Sequence, residues 1–371
     1  MRKLLFVIPE YSHGGTNKSL ENMLSLIDKT KYDVAIYCLY EDGGEYYKEV
    51  FAPYVLKKSR LYYWLHDNVW TRKVMGLYNK LTKRSNFDWL YRREVKYLQR
   101  KKHFDAVIGF QEGTATEFVS YFTVVNRIAW IHCDYAAWAN GVRRKADEIC
   151  YSNIDQIVCV SESARKSFVG LYPEWKRKTH AIYNVVRVNK SLHENSHFNE
   201  NCFNIVSVGR LSRVKRFEKI PEMVADIKNK TDKAFCWYII GSGASEAAIS
   251  EKIAQFGVQD HVILLGPKDN PYPYMQQADT VVCTSDSESF SYVIAEAKIL
   301  HTPVISNTFP VAYEVVDEQT GWVASLDNMP QLIARLINDE NGEYSKKKKS
   351  IMGYEYSNKE ILKQIDELFQ N

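Results

Sequence analysis

The sequence has no apolar run near the ~20 residues that a membrane-spanning helix needs, which excludes helical membrane spans. Its first residues, Met1–Ile8, imitate a signal peptide, but Pro9 and Glu10 end the apolar stretch too early for one. We therefore expect a buried first strand at Leu4–Ile8. Because no export signal is evident, the expected compartment is the cytoplasm.

Disulfide and metal-binding patterns are also lacking. The seven cysteines are scattered and never spaced as C-x-x-C, which favours reduced thiols in the core over disulfides or a zinc site. No D-x-D motif occurs, so a bridging metal has no obvious ligand in the sequence. We expect neither a metal ion nor a cofactor.

The formal net charge is only +4, but one segment is strongly basic. Residues 57–102 contain 14 Lys and Arg against 3 Asp and Glu, a balance of +11, together with nine aromatic side chains. Basic segments rich in Trp and Tyr suit an anionic membrane surface, and a solvated helical face with its aromatics in the core is the alternative. The segment matches none of the recognised nucleic-acid-binding modules, so no nucleic-acid partner is expected.

Continuous apolar, β-branched runs alternate with helix-period segments, as is typical of parallel strands buried on both faces. The runs in the first half are Leu4–Ile8, Val34–Tyr40, Ala106–Phe110, Arg127–Ile131, Gln156–Val160 and His180–Tyr183. Those in the second half are Asn204–Val208, Trp237–Ile240, Val262–Leu265, Thr280–Cys283, Pro303–Ser306 and Gly321–Ala324. Two such series predict the α/β class, with two doubly wound, Rossmann-like domains that face each other across a cleft.

The polar, Asn-rich stretch Val188–Asn201 has no clear period and is predicted to link the two domains. The last stretch, Tyr344–Phe369, is predicted to be helical, with Lys and Glu on its outer face.

Two carboxylates near the end of a predicted strand are the most informative pair. Glu288 follows Thr280–Cys283, and Glu296 comes after seven intervening residues, inside a helical pattern. Glu296 is expected ~10 Å further along the helix, which suits the two ends of an elongated polar ligand such as a sugar nucleotide. Backbone N–H groups at Ser289–Ser291 would favour phosphate or sugar hydroxyls. Two solvent-facing acids on a helix are the alternative.

A second motif, Val206–Arg216, follows another predicted strand. Gly209 allows the backbone to turn tightly there, and Arg210 and Lys215 could together neutralise a pyrophosphate. The alternative interpretation is a loop with surface charges.

Two further strand exits contain paired glycines. Ile239–Glu246, with Gly241 at its turn, suits close approach of a phosphate or a base, but it lacks the three-glycine nicotinamide fingerprint. Gly14 and Gly15 follow the first strand, before a helix whose expected cap is Thr16 or Asn17. An ordinary tight turn or loop is the alternative at each.

A fifth motif is His132, which comes at the end of the predicted strand Arg127–Ile131, close to the expected cleft. A purely structural histidine is the alternative there.

Together these residues resemble the retaining GT-B glycosyltransferases of family 4, glycosyl transferases group 1. The resemblance is strongest from Asn204 to Ala324, where G-R-L-x-x-x-K, G-x-G, E-S-F-S-Y-V-I-A-E-A and T-P-V-I keep the family's order and spacing. It implies transfer of a sugar from a nucleotide diphosphate sugar to a saccharide acceptor, with retention of anomeric configuration. The sequence departs from the family by having Ser289 and His301 where glycines are usual.

The resemblance also implies residue roles. Arg210 and Lys215 would bind the donor diphosphate and stabilise the leaving group, Glu288 would contact the transferred sugar, and His132 would touch that sugar near the reacting carbon. The residues expected to bind the donor are Gly14, Gly15, Arg210, Lys215, Gly241, Ser289, Phe290, Ser291 and Glu296, with Glu296 on the ribose.

The domain roles follow from the same resemblance. Residues 1–187 would bind the acceptor, 188–201 would be the linker, and 202–352 would bind the nucleotide sugar. A C-terminal helix at about 353–371 would pack back onto the first domain.

The basic segment suggests a lipid-linked acceptor at the inner face of the cell membrane, in surface polysaccharide or glycan assembly such as capsule or lipopolysaccharide. The alternatives are a non-catalytic GT-B subunit that stabilises a partner transferase, and an epimerase or phosphorylase of similar shape.

Overall fold

The computed structural model describes residues 1–12, 14–41, 43–67, 87–123, 126–189, 198–199 and 201–370. The chain divides into two compact units, Met1–Val185 with Asn358–Asn371, and Val186–Ser357. Residues 68–86 of the basic segment, 190–197 and 200 of the expected linker, and residue 371 of the expected last helix lie outside the described residues.

The first unit contains a six-stranded parallel sheet. Its strands are β1 (Arg2–Ile8), β2 (Tyr32–Cys38), β3 (Ala106–Gly109), β4 (Asn126–Ile131), β5 (Gln156–Cys159) and β6 (Thr179–Ala181). They lie in the order β2-β1-β3-β4-β5-β6, and Leu5 of β1 is in register with Ala35 on one side and Val107 on the other.

The second unit contains a second parallel sheet of six strands. Its strands are β7 (Phe203–Val208), β8 (Phe235–Ile240), β9 (Val262–Gly266), β10 (Thr280–Cys283), β11 (Val304–Ser306) and β12 (Gly321–Val323). They lie in the order β12-β11-β10-β7-β8-β9, which is the doubly wound order with its switch point between β7 and β10.

Helices connect the strands. The α-helices described in the first unit are α1 (Gly15–Leu26), α2 (Glu45–Phe51), α3 (Arg60–Tyr62), α4 (Phe87–Lys101), α5 (Thr114–Ser120), α6 (Tyr135–Trp138), α7 (Lys145–Ser152) and α8 (Glu162–Leu171). Those of the second unit are α9 (Ile220–Lys228), α10 (Glu246–Phe256), α11 (Tyr272–Gln277), α12 (Tyr292–Ile299), α13 (Ala312–Val315), α14 (Met329–Asn338) and α15 (Glu343–Ile351). The last helix, α16 (Asn358–Gln370), returns to the first unit.

The predicted α/β class with two doubly wound domains is confirmed, and each predicted strand is present within one or two residues of its predicted ends. The physical reason is burial on both faces: Leu4 to Ile8 are all fully buried, and so are Val206 and Val281 in the second sheet. All seven cysteines are free thiols. Four of them are in the core as expected (Cys38, Cys150, Cys159 and Cys283), whereas Cys133, Cys202 and Cys236 are only half-buried.

The C-terminal stretch is not one continuous helix. α15 ends at Ile351 and α16 begins at Asn358, with Gly353 and non-helical residues between them. Phe369 of α16 is fully buried and packs edge-on against Phe6 and Tyr32 of the first sheet. Among the described residues, no helix combines the length and apolar character needed to cross a membrane.

Candidate functional site

The exits of β7 and β8 are bound to each other just beyond the second sheet. The Gly209 N–H donates to the Ile240 carbonyl (3.0 Å), and the Leu211 N–H donates to the Ser242 carbonyl (2.9 Å). A Cβ on Gly241 would lie 1.9 Å from the carbonyl oxygen of Gly209, and the φ of Gly241 is +143°. Gly241 is therefore required by the packing of the two glycine loops.

Lys215 and Glu288 form an ion pair at the switch point of this sheet. Lys215 lies in a 3-10 turn after β7 (Arg213–Lys215), and Glu288 lies after β10. Lys215 Nζ donates to Glu288 Oε1 at 2.5 Å, and the side chains are only 21% and 15% exposed. Both predicted residues are thus brought together, and the alternative of two solvent-facing acids is wrong for Glu288.

The loop after β10 fixes this pair in place. The Ser285 hydroxyl donates to Glu288 Oε1 (2.7 Å), and Asn307 Nδ2 donates to the Ser285 carbonyl (2.9 Å). On the other side, the Thr284 hydroxyl donates to the Lys215 carbonyl (2.6 Å). The pair is therefore held by backbone contacts as well as by its own charge.

Charges from three side chains meet at Lys215. Burial alone would lower the pKa of its ammonium group, but the Glu288 carboxylate together with Cys283 more than offsets this and leaves the pKa raised. Arg210 is exposed, but it is close enough for its positive charge to act on Lys215 and to reduce the rise in the pKa of that residue. The two cations predicted for a pyrophosphate therefore lie near each other.

Glu296 is buried on α12, only 7% exposed. The Tyr272 hydroxyl of α11 donates to Glu296 Oε1 at 2.9 Å. The alternative of a solvent-facing acid is wrong here too, because this carboxylate has a fixed phenolic partner.

The residues between the two acids turn sharply into α12. Ser291, the residue before that helix, has φ +63° and ψ +80° and is 5% exposed, and its hydroxyl has no hydrogen-bond partner among the described residues. Phe290 is buried against the ring of Tyr292, whereas Ser289 is half-buried. The helix begins at Tyr292, directly after the expected run of free N–H groups.

Gly14 and Gly15 lie in the first unit, at the carboxyl end of β1. The expected cap at Thr16 or Asn17 is wrong: the N-cap is Gly14, and α1 begins at Gly15. The Asn17 side chain instead donates to the carbonyls of Glu10 (3.0 Å) and Ser12 (2.9 Å), which closes the loop.

His132 follows β4, and its surroundings keep it neutral. Burial lowers the pKa of its imidazole to about 3, and the ring packs 4.8 Å from that of Phe110. Its Nε2 is buried without a hydrogen-bond partner among the described residues. The expected contacts of His132, Gly14 and Gly15 with the donor stay predictions.

Sequence reasoning missed the residues that support the site, above all Ser285, Asn307 and Tyr272. It also missed Glu112, whose Oε2 accepts from the His132 backbone N–H at 2.9 Å. Glu112 comes shortly after β3, which is the same signal that identified Glu288 after β10. The contacts of the other three depend on pairing between distant strands and helices, which the sequence does not display.

Chemically, the second unit offers two cations, one buried carboxylate beside them and a tight glycine turn, all at the carboxyl edge of a parallel sheet. Such an edge binds ligands at its switch point, and paired Arg and Lys suit phosphate oxygens.

Comparisons with known proteins agree with this chemistry. Residues 188–355 match the family model for glycosyl transferases group 1, and residues 13–190 match that for glycosyltransferase family 4. The amylovoran biosynthesis glycosyltransferase AmsD of Erwinia amylovora is 22% identical over 348 residues, which cover 91% of this chain and 89% of that protein.

Two further likenesses are informative. The Campylobacter jejuni N-acetylgalactosamine-N,N'-diacetylbacillosaminyl-diphospho-undecaprenol 4-alpha-N-acetylgalactosaminyltransferase is 27% identical over 141 residues, 37% of this chain and 38% of that protein. The crystal structure of Anabaena Alr3699/HepE in complex with UDP covers 100% of both chains with a TM-score of 0.73 at 15% identity, which shows the GT-B fold.

Proposed function

The chain belongs to the glycosyltransferases, as a member of glycosyl transferases group 1 and glycosyltransferase family 4, and we propose that it transfers a sugar from a nucleotide diphosphate donor to a saccharide acceptor with retention of configuration. The strongest support is the buried pairing of Lys215 with Glu288 beside Arg210, at the switch point of the second sheet. In this proposal the two cations neutralise the donor diphosphate and the charge that develops on it as the sugar departs. Glu288 accepts hydrogen bonds from the transferred sugar.

Glu288 is proposed to recognise the sugar rather than to form a covalent bond to it. Its Oε1 already accepts from both Lys215 Nζ and Ser285 Oγ, which lowers the nucleophilicity of that oxygen. We infer attack by the acceptor on the face from which the diphosphate departs, with the leaving phosphate taking the acceptor's proton. Glu296, fixed by Tyr272, is proposed to bind the ribose hydroxyls.

Charge compensation by Arg210 and Lys215 makes the proposed reaction independent of a metal ion, in keeping with the missing D-x-D motif. Transfer rates measured with excess EDTA and with added Mg²⁺ should therefore be equal. A rate that falls with EDTA and returns with Mg²⁺ would contradict metal independence and leave the transferase assignment intact.

The proposed acceptor is a lipid-linked saccharide in surface polysaccharide or glycan synthesis. One relative supports this by its name, which gives a diphospho-undecaprenol substrate, and another is named for amylovoran biosynthesis. Within this chain, helix α4 exposes Arg93, Lys96 and Arg100 on one face together with Trp89, which is 45% exposed. Such a face suits an anionic membrane surface, so we propose peripheral attachment at the inner face of the cell membrane.

The test is transfer by purified protein from a panel of radiolabelled nucleotide sugars to lipid extract. Lys215→Ala and Glu288→Gln should each lower kcat about 10²–10³-fold, the usual effect of removing one group that stabilises the transition state. Lys219→Ala is the matched control, because Lys219 is on the surface in an ion pair with Glu222. Unchanged kcat in Lys215→Ala would overturn the proposed mechanism.

The same assay separates the alternatives. A non-catalytic subunit would neither hydrolyse nor transfer any donor, and an epimerase would interconvert the free nucleotide sugar without an acceptor.

A further inference from the structure

The first unit has a cavity of about 450 Å³ at the carboxyl edge of its sheet, within the range of about 300–1,000 Å³ common for small-molecule sites. Pro9 from the exit of β1 and Gln111 to Gly113 from the exit of β3 form one side of it. β1 and β3 are the neighbours between which the strand order of this sheet reverses. The cavity therefore lies at the switch point, where open α/β sheets bind ligands.

The opposite side of the cavity contains an aromatic ring carrying a fixed cation. Trp138, 38% exposed, has the Arg144 guanidinium 4.0 Å from its ring centroid. Asp147 holds that guanidinium through two bonds of 2.8 Å, to Nε and Nη2. Gly113 has φ +80°, and its loop packs against the edge of the Trp138 ring. A Cβ at position 113 would lie 3.4 Å from Trp138 Cζ2.

Polar side chains also line the cavity, and one of them has no hydrogen-bond partner among the described residues. Tyr151 is 1% exposed, and its hydroxyl has no hydrogen-bond partner of good geometry among the described residues, although Tyr135 lies close enough to affect its pKa. Glu117 is half-buried at the cavity wall. A buried hydroxyl and a carboxylate of this kind favour a ligand that brings its own hydrogen-bond donors.

The charges in the lining select the ligand class. Three carboxylates, Glu112, Glu117 and Asp147, surround one cation, Arg144. The excess negative charge disfavours phosphates and uronic acids, and the guanidinium stacked on Trp138 disfavours a second cation on that ring. Asp147 is already paired with Arg144, and Glu112 already accepts from the His132 backbone N–H. An uncharged ligand with many hydroxyls and an apolar C–H face suits the rest of the lining.

We propose that this cavity binds a neutral pyranose unit of the acceptor saccharide. The assignment rests on the proposed function, because only a glycosyl transfer requires an acceptor here. Trp138 contacts the C–H face of the sugar, and Glu117 and Tyr151 bind its hydroxyls. Asp147 acts as a positioning residue for Arg144.

Saturation-transfer difference NMR on the full-length protein tests this subsite. The neutral probes are the methyl glycosides of glucose, galactose and N-acetylglucosamine, and the charged probes are glucuronate and glucosamine. UDP, GDP, TDP and ADP report on the donor site in the same samples. At least one neutral glycoside should give a signal that falls fivefold or more in Trp138→Ala and in Glu117→Gln, with the nucleotide signal retained.

Glu148→Gln is the matched control, because Glu148 is on α7 beside Asp147 but does not line the cavity. Trp138→Phe should keep a larger share of the signal than Trp138→Ala. Glycoside signals that survive both Trp138→Ala and Glu117→Gln, or that arise from the charged probes alone, would overturn the subsite. Nucleotide signals without any glycoside signal would also overturn it and leave the proposed function standing. The absence of both glycoside and nucleotide signals in the wild-type protein would count against the subsite and against the proposed function.

Discussion

Ser291 has a left-handed backbone conformation that serine rarely adopts, with φ +63°, and its buried hydroxyl has no partner among the described residues. Such strain costs of order 1–3 kcal/mol and persists mainly at functional sites. Its position directly before α12, three residues after Glu288, agrees with a role in ligand binding.

Ser291→Gly should therefore raise the free energy of unfolding by about 1 kcal/mol, because glycine adopts this conformation without strain. Urea unfolding without ligand measures the change. Ser289→Gly is the control: Ser289 has no positive φ, so the same substitution should lower stability slightly. Equal changes in the free energy of unfolding for the two substitutions would contradict backbone strain at Ser291.

The buried imidazole of His132 should make the protein sensitive to acid. Its folded pKa is about 3, below the ~6.5 of an unfolded histidine, so the unfolded state binds an extra proton between these values. Stability is lost as pH falls from ~6.5 towards 3, with a slope of at most about 1.4 kcal/mol per pH unit from this group.

His132→Gln should remove that contribution. Comparing urea unfolding at pH 7 and pH 4.5, the loss of stability on acidification should be about 2 kcal/mol smaller in the variant than in the wild type. Parallel losses in the two proteins would show that His132 does not remain neutral in the folded state.

Among the elements, helix α16 completes the core of the first unit although it comes last in the chain. The Asn126 amide donates to the Leu368 carbonyl at 3.0 Å, and Phe369 is fully buried against Phe6 and Tyr32. These contacts join residues more than two hundred positions apart, so the first sheet depends on the end of the chain.

Phe369→Ala should destabilise the first unit by about 3–5 kcal/mol, the usual cost of emptying a buried phenylalanine site. Hydrogen exchange measured by mass spectrometry should show faster exchange in β1 and β2 and unchanged exchange in β7 and β8. Glu367→Ala, at an exposed position of the same helix, should leave both sheets unchanged. Equal acceleration in both sheets would contradict the assignment of α16 to the first unit.

The strands could be predicted because a strand buried on both faces is a continuous apolar run in the sequence. Val206 and Val281, both fully buried, lie in such runs. Helix ends were less predictable. The N-cap of α1 is Gly14, which has no side chain, and α15 ends at Ile351, whose carbonyl lies 3.0 Å from Nδ1 of the distant His301. The helical period reports neither feature.

The same contrast holds for the candidate site. Glu288, Lys215 and Arg210 could be identified because each follows a strand, and parallel strands end at one edge of a sheet. Ser285 and Tyr272 could not, because a serine or tyrosine outside a motif becomes informative only when its partner across the fold is known.

At the scale of the whole molecule, positive charge is concentrated rather than spread. The net charge is +4, whereas residues 57–102 alone have a balance of +11. In the described part of that segment, α4 buries Leu90, Tyr91 and Val95 and exposes its cations. The alternative of a solvated face with aromatics in the core therefore holds in part, since Tyr91 is buried while Trp89 and the charges are at the surface. Attachment to a membrane stays a prediction.

If this face attaches the protein to anionic membranes, the full-length protein should float with phosphatidylglycerol vesicles and not with phosphatidylcholine vesicles. Each basic residue near such a surface contributes about 1 kcal/mol, so Arg93→Glu with Arg100→Glu should weaken flotation at least tenfold. Lys346→Glu with Lys349→Glu is the matched control, because it reverses two exposed charges on α15 of the other unit. Added salt should weaken wild-type flotation as it screens the charges. Equally weakened flotation of both double variants would mean that net charge alone drives the attachment. Flotation that is unchanged by salt and by either double substitution would contradict an electrostatic surface on α4.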